Sequence, residues 1–311
     1  MNILLTGASS FTGSWFALAL ARAGHVVTAT FRGGHDSYAD TRGKRVASIL
    51  DKVEPIWGVS FGDEAFFDAL GDRSFDLVCH HAAEMTDYRS WDFDAIEATA
   101  NNTRGARRLL TLLAERGGGK LMLTGSVFEP YEGVGDLRQR SFNPYGLSKH
   151  LSFEVFRLEA ERLGLSLGKF VIPNPFGPRE EYRFTSYLAK EWSMGKRPIV
   201  GTPAYVRDNI HVSLLAAAYL EACTNLPQSN GLTRAAPSGY IEQQGAFTHR
   251  FSREIAARTP WECDFGNADQ KEFPEPMFRT NSNPNPLNGQ WSEAEAWDAL
   301  ADYYLEMFTG K

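Results

Sequence analysis

The sequence predicts an α/β protein built on a doubly wound parallel sheet, with a smaller mixed C-terminal region for substrate. Three observations carry this. Short apolar runs rich in β-branched residues alternate with amphipathic stretches of helical length up to about residue 172. A glycine-bearing loop joins the first such run to the first helical stretch. The alternation then stops where Pro173, Pro175 and Pro178 crowd together and forbid continued helix.

Strands are expected at about 2–6, 25–31, 53–58, 75–80, 119–125 and 168–172, with helices in the gaps. The first helix, Phe11 to Ala23, is closed by Gly24, a residue free to take the left-handed conformation. Past residue 172, helices are expected at about 180–194, 211–224, 245–258 and 291–308. The Pro- and Asn-rich stretch Asn281 to Asn288 receives no assignment. The division that follows is a dinucleotide-binding domain over 1–172, also receiving about 208–237, and a mainly substrate-binding region over 173–311.

A net charge of -6 over 311 residues, with no stretch gathering Lys and Arg, gives no support for nucleic-acid binding. Cys79, Cys223 and Cys263 are far apart and match no ligand spacing, so no metal site is expected and a reducing cytoplasm fits. The first strand runs straight into the glycine loop, leaving no room for a signal peptide. The apolar stretch His211 to Cys223 is too short to span a bilayer and carries Glu221, so it reads as a buried helix and no membrane association is expected.

In the segment Thr6-Gly7-Ala8-Ser9-Ser10-Phe11-Thr12-Gly13, Gly7 allows a tight turn and Gly13 lets the helix pack closely on the sheet. The helix N-terminus offers free N–H groups to phosphate oxygens. This is the phosphate cradle of a Rossmann fold, although a plain tight strand-to-helix turn would use similar residues. At the end of the second strand, where an acid would bind the ribose 2′-hydroxyl of NAD, Phe31-Arg32-Gly33 stands instead. Arg32 suits a 2′-phosphate, so NADP is the expected cofactor and NAD the alternative.

Further along, Asn143-Pro144-Tyr145-Gly146-Leu147-Ser148-Lys149 opens a helix and puts Tyr145 and Lys149 a turn apart on one face. A phenol is a poor base at neutral pH, and a nearby ammonium is expected to lower its pKa. Tyr145 can then exchange a proton with a sugar hydroxyl or ketone while hydride passes to or from a nicotinamide. Thr124, at the end of the strand Lys120-Leu121-Met122-Leu123-Thr124, can turn its hydroxyl into the same crevice. Ser126 competes for that role.

On these residues the chain resembles the extended short-chain dehydrogenase/reductases that act as sugar-nucleotide epimerases and dehydratases. The likeness spans roughly residues 1–225. Other landmarks are His80-His81-Ala82-Ala83, Asn101-Asn102-Thr103-Arg104-Gly105, Pro173-Asn174-Pro175-Phe176-Gly177-Pro178 and Val206-Arg207-Asp208-Asn209-Ile210-His211-Val212.

The resemblance makes Thr124 the hydroxyl on the reacting oxygen, Tyr145 the acid/base and Lys149 the lysine that also binds the nicotinamide ribose. It implies that Gly7, Ser10, Phe11, Thr12, Gly13, His81, Ala82, Ala83, Asn102 and Pro173 lie against the cofactor. Asn174 would touch the sugar nucleotide and Arg207 would grip its diphosphate. Ser10 replaces the family's middle loop glycine, and His81 replaces a residue that is usually apolar. The acid commonly near the adenine is missing around Gly58-Val59-Ser60.

Dehydratases of the family carry Asp-Glu after the catalytic Thr, but here Gly125-Ser126 follows, so 4,6-dehydration is not expected unless Glu129 or a residue from elsewhere supplies the missing acid/base. The expected function is NADP-dependent reduction of a 4-keto group on a nucleotide-linked sugar. The alternatives are an NAD-dependent 4-epimerase and, further off, a non-catalytic nucleotide-binding relative. A homodimer is expected through the helices at about 92–117 and 145–164, with Ala95, Ala98, Leu109, Leu110, Leu112 and Leu113 as candidate apolar contacts.

Overall fold

A computed structural model describes residues 1–135, 140–228 and 230–310. Chain order runs β1 (Asn2–Thr6), α1 (Phe11–Arg22), β2 (Val26–Thr30), α2 (Asp40–Ala47), β3 (Glu54–Ile56), α3 (Glu64–Leu70), β4 (Leu77–His80), α4 (Ala95–Thr103), α5 (Ala106–Glu115) and β5 (Lys120–Ser126). It continues with β6 (Val134–Gly135), α6 (Pro144–Leu163), β7 (Ser166–Ile172), β8 (Asn174–Phe176), α7 (Phe184–Ser193), β9 (Ile199–Val200), β10 (Val206–His211) and α8 (Val212–Thr224). The last elements are β11 (Gly231–Ala235), β12 (Tyr240–Gln243), α9 (Gln244–Ala256), β13 (Gly266–Asn267), β14 (Phe278–Thr280) and α10 (Glu293–Thr309).

The central sheet is parallel throughout, in the order β11-β7-β5-β4-β1-β2-β3. The order reverses between β1 and β4, so a crevice opens at the carboxyl ends of those strands, where sheets of this topology take ligands. Buried residues on one face, from Ile3 and Phe16 to Leu215 and Tyr219, pack α1 and α8 against the sheet. On the other face Leu4, Phe66, Leu110, Phe153 and Phe156 do the same for α3, α5 and α6. Apolar residues therefore recur on both sides of each central strand, as a sheet covered twice requires.

A second, mixed sheet in the order β12-β10-β14-β6, with β8 on β10, stands beside the carboxyl ends. Its companion core joins Phe176, Trp192, Phe247, Phe251, Trp297 and Tyr304. Asn281 ties this region to the main sheet, its side-chain amide donating to the carbonyls of Val171 and Pro237, each at 2.8 Å.

Several expected boundaries move. The stretch 92–117 is two helices, broken at Arg104-Gly105. Gly105 sits at φ 66, and a Cβ there would lie 2.9 Å from Gly62 Cα, so the chain turns where the backbones of two segments touch. The helix expected from 180 begins at Phe184, after a turn in which Arg179 takes φ 67. Strand β11 was not anticipated: its side chains are mostly exposed at the sheet edge, and the sequence there lacks alternation.

The candidate helix contacts also divide. Ala98, Leu109, Leu110 and Leu113 are buried inside the subunit, so they are not a free face for a partner. Ile96, Val155 and Leu158 point outward instead. No helix among the described residues is long and apolar enough to cross a membrane.

Candidate active site

The glycine loop is closed on itself before any ligand is considered. Gly7 has φ 77, and a Cβ on it would come within 2.8 Å of Ala82 N. A Cβ on Gly13 would come within 2.2 Å of Gly7 O, so only glycine lets α1 start this close to β1. Ser10 turns its side chain inward, donating to Gly7 O at 2.9 Å and accepting from Gly13 N at 3.1 Å. It acts as the N-cap of α1, which leaves the cradle open where a bulkier outward group would have filled it.

The end of β4 supplies the second wall. Thr6 Oγ1 accepts from the His81 and Ala82 amides at 3.1 and 3.0 Å and lies 3.0 Å from His80 Nδ1. Having its oxygen occupied by two donors, Thr6 gives its own proton to Nδ1, and the opposite ring nitrogen of His80 donates to Asn102 O at 3.1 Å. Burial pulls the His80 pKa down to about 3, so the ring is neutral. Asn102 in turn accepts from Glu84 N at 2.7 Å and donates to Ser152 Oγ at 3.4 Å, linking the β4 loop to α6.

His81 spans the crevice. Its Nδ1 lies 2.9 Å from Thr124 Oγ1, while Nε2 lies 3.1 Å from Ser10 Oγ and 3.0 Å from Thr12 Oγ1. Burial first, then the charge of Lys149, brings its pKa down to about 3. Three polar residues at positions 10, 12 and 81 thus form one cluster with Thr124.

Helix α6 carries the Tyr–Lys pair. Asn143 caps it by accepting from Gly146 N at 2.8 Å, with Pro144 in the first turn. A Cβ on Gly146 would meet Phe128 O at 2.0 Å, so the helix starts hard against the turn after β5. Tyr145 is buried among Tyr88, Phe93 and Phe128, with ring centroids 5.3, 6.0 and 5.8 Å away.

The sequence-based expectation of a lowered phenol pKa is not met. Burial pushes the Tyr145 phenol up, helped by the nearby Glu129 carboxylate and Tyr88, while Arg183 and Ser126 oppose the shift. Lys149 is engaged elsewhere: its ammonium donates to the Thr124 carbonyl at 2.6 Å. Burial lowers the Lys149 pKa, with Glu129 opposing and Lys169 adding to the shift.

Glu129 is not placed to act as a free acid/base. Its carboxylate is buried, accepts the Ser126 amide at 2.8 Å and pairs with Lys169 at 2.6 Å. Gly125 lies on this pair: a Cβ there would meet Lys169 Cε at 2.9 Å and Glu129 Oε1 at 3.0 Å.

Arg32 stands exposed just past the end of β2; the Glu84 carboxyl is held below its ordinary pKa first by its hydrogen bonds to Thr86, then, against burial, by the Met85 amide and last by the charge of Arg32. Beside it, Phe31 stacks on Trp57 at 4.4 Å. Asn174 begins β8 right after Pro173 and pairs in register with Asn209.

Arg207 is buried on β10, not paired with the adjacent Asp208. Its guanidinium donates to the Pro276 and Met277 carbonyls at 3.1 Å, reaches Glu275 at 3.1 Å and lies 4.0 Å from the Tyr205 ring centroid. Asp208 accepts from the Gly239 and Asn281 amides instead.

Sequence reasoning missed Arg279. Its guanidinium shares Glu275 with Arg207, at 2.9 Å, and lies 4.0 Å from the Phe128 ring centroid. Burial and Arg207 pull its pKa down to about 10. The only sequence signal was a short β-type run, Phe278-Arg279-Thr280, beside the unassigned Asn-rich stretch.

A glycine cradle at the switch point of a parallel sheet, facing a Tyr and a Lys on the next long helix, defines a dinucleotide-dependent enzyme of the proton-and-hydride-transfer class. Its membership is shown by sequence: residues 3–231 match the NAD dependent epimerase/dehydratase family, and the chain belongs to it. No curated protein matches the chain.

Among solved structures it is similar to the UDP-glucose 4-epimerase of Thermotoga maritima with UDP-glucose, at 17% identity and TM-score 0.74, covering 99% of both chains. It is also similar to the UDP-glucuronic acid 4-epimerase of Bacillus cereus in complex with UDP-glucuronic acid and NAD, at 19% identity and TM-score 0.75, covering 99% of this chain and 100% of that one. A dTDP-glucose 4,6-dehydratase of Streptomyces venezuelae with NAD bound matches at 18% identity and TM-score 0.75, covering 98% and 97%. At these identities the likeness concerns the fold.

Proposed function

We propose that this enzyme reduces a 4-keto group on a nucleotide-linked sugar with NADPH, without dehydration. The observation that carries the reading is Tyr145: at the start of α6, caged by Tyr88, Phe93 and Phe128 and one turn from Lys149, its phenol keeps its proton through burial and has one to pass to a carbonyl oxygen. Gly7, Phe11, Thr12 and Gly13 would hold the pyrophosphate at the α1 N-terminus, and Arg32 the 2′-phosphate. When bound, the nicotinamide supplies the hydride. Lys149 would reach its ribose from the Thr124 carbonyl, Thr124 and Ser126 would position the sugar oxygen, and Asn174 would contact the sugar nucleotide.

Arg207 and Arg279, two guanidinium groups that both reach the half-exposed carboxylate of Glu275, suit a diphosphate that competes for them. Dehydration is disfavoured because the position of the dehydratase acid is Gly125, where a side chain would have to displace the paired ends of Lys169 and Glu129. A second reading, NAD-dependent 4-epimerisation, is favoured by the solved neighbours that hold UDP-sugars or NAD.

The test is a mass spectrum of co-purifying nucleotide together with NADPH oxidation against a panel of nucleotide-linked 4-keto-sugars. NADPH consumption supports the reductase. Retained NAD with interconversion of 4-hydroxy epimers would replace it by the epimerase.

A further inference from the structure

Behind the Tyr–Lys pair lies a buried charge cluster that the proton-transfer scheme does not use. Lys169 sits in the middle of β7 with its ammonium 2.6 Å from Glu129 and 2.7 Å from Glu132, all three side chains buried. Glu132 reaches outward to Arg234 at 3.4 Å. Such a pair costs the hydration of both ions, and apolar residues of similar volume often fold as well or better. Stability is thus a poor reason for it to be here, in a strand that otherwise reads as apolar.

Its position points to another reason. Thr124, Gly125, Glu129, Lys149, Phe153 and Lys169 line one cavity, and the Lys169 ammonium lies 3.9 Å from the ring centroid of Phe153, one turn beyond Lys149 on α6. Glu129 is held rigidly, one oxygen on Lys169 and the other on the Ser126 amide.

Among the described residues, the remaining neighbours of Lys149 carry no compensating negative charge. From β4 come His80 and His81, both neutral, from α4 the amide of Asn102, from β5 the Thr124 carbonyl, from α6 Tyr145 and Ser152, and from β7 the cation Lys169. Of the groups acting on the Lys149 proton, Glu129 holds it on and Lys169 drives it off.

We propose that Glu129, anchored by Lys169 and the Ser126 amide, is a positioning residue that serves as the fixed counter-ion of Lys149 across this cavity. The inference rests on the reading that Lys149 faces the cofactor. It also explains why Gly125 is glycine: a side chain there would push the anchor and the carboxylate apart. Glu129, buried on Lys169 and the Ser126 amide, acts by keeping the ammonium charged.

The test is the pH dependence of nicotinamide-cofactor affinity, read by fluorescence of NADPH or NADH, in the wild type, Lys149→Met, Glu129→Gln and Glu129→Asp, each checked by circular dichroism. The wild type is expected to lose affinity along an alkaline limb that Lys149→Met abolishes. Glu129→Gln should move the limb down by about one pH unit or more, and Glu129→Asp, which draws the same charge back by one methylene, should move it down by less.

A limb unmoved in Glu129→Gln overturns the inference, since a packing role would change affinity without moving it. Should Glu129→Gln fail to fold, Glu129→Asp decides by direction: a downward shift supports, and no shift or an upward one overturns. If Lys149→Met leaves both affinity and limb as in the wild type, the reading of Lys149 fails, which is a separate result.

Discussion

The imidazole of His81 joins the catalytic strand to the glycine loop, with Nδ1 2.9 Å from Thr124 Oγ1 and Nε2 3.1 Å from Ser10 Oγ. Because burial holds its pKa at about 3, it binds no proton in the folded state at mild pH, whereas an unfolded chain binds one below about 6.5. The folded pKa lies below the unfolded one, so stability is full above that value and falls as pH drops towards 3. Each such histidine contributes about 1.4 kcal/mol per pH unit, and His80 and His211 behave alike. Urea unfolding at pH 7 and pH 5 should show this loss, and His81→Leu should show a smaller one. Equal losses would place the His81 ring in solvent. His81→Leu should also lower turnover, by about tenfold, because the Thr124 hydroxyl loses its anchor.

Arg32 is expected to set cofactor preference. With Arg32→Ala, NADPH affinity should fall about tenfold or more while NADH affinity stays, as loss of one charge-assisted contact implies. Dissociation constants for both, in both proteins, check it. An unchanged ratio would mean that the exposed guanidinium meets no phosphate.

Gly125→Asp should not create a dehydratase. The new side chain would collide with Lys169 and Glu129 and set a second carboxylate against a buried one, so the variant should lose on the order of 1–3 kcal/mol or fail to fold. Denaturant unfolding of Gly125→Ala gives the steric part alone.

Much of this was legible in the sequence, and what was not has a physical reason. Strands β1, β2, β4, β5 and β7 follow from apolar runs that must be buried on both faces, and the cradle from glycines that nothing else can replace. The pairing of Glu129 with Lys169 joins residues forty apart, and nothing local marks it. Arg279 lies on a three-residue strand too short for any period to show. The raised Tyr145 pKa depends on three aromatic neighbours that only the fold assembles.

For assembly, we propose a homodimer through α4 and α6. Ile96 is 71% and Leu158 62% exposed, so these apolar side chains remain to be covered. Leu158→Glu should shift the mass by light scattering from dimer to monomer at micromolar concentration. A wild-type monomer would remove the proposal.

The most direct test of the account is turnover of Tyr145→Phe. The substitution keeps the ring in its cage of Tyr88, Phe93 and Phe128 and removes only the hydroxyl with its transferable proton. The account predicts a fall in kcat of about 10²–10⁴-fold with cofactor affinity nearly unchanged. In the oxidative direction, wild-type rate should climb with pH well past neutrality, because burial keeps the phenol protonated and only its ionised form accepts a proton. Near-normal turnover by Tyr145→Phe, with an unchanged circular dichroism spectrum, would contradict the assignment of Tyr145 as the acid/base.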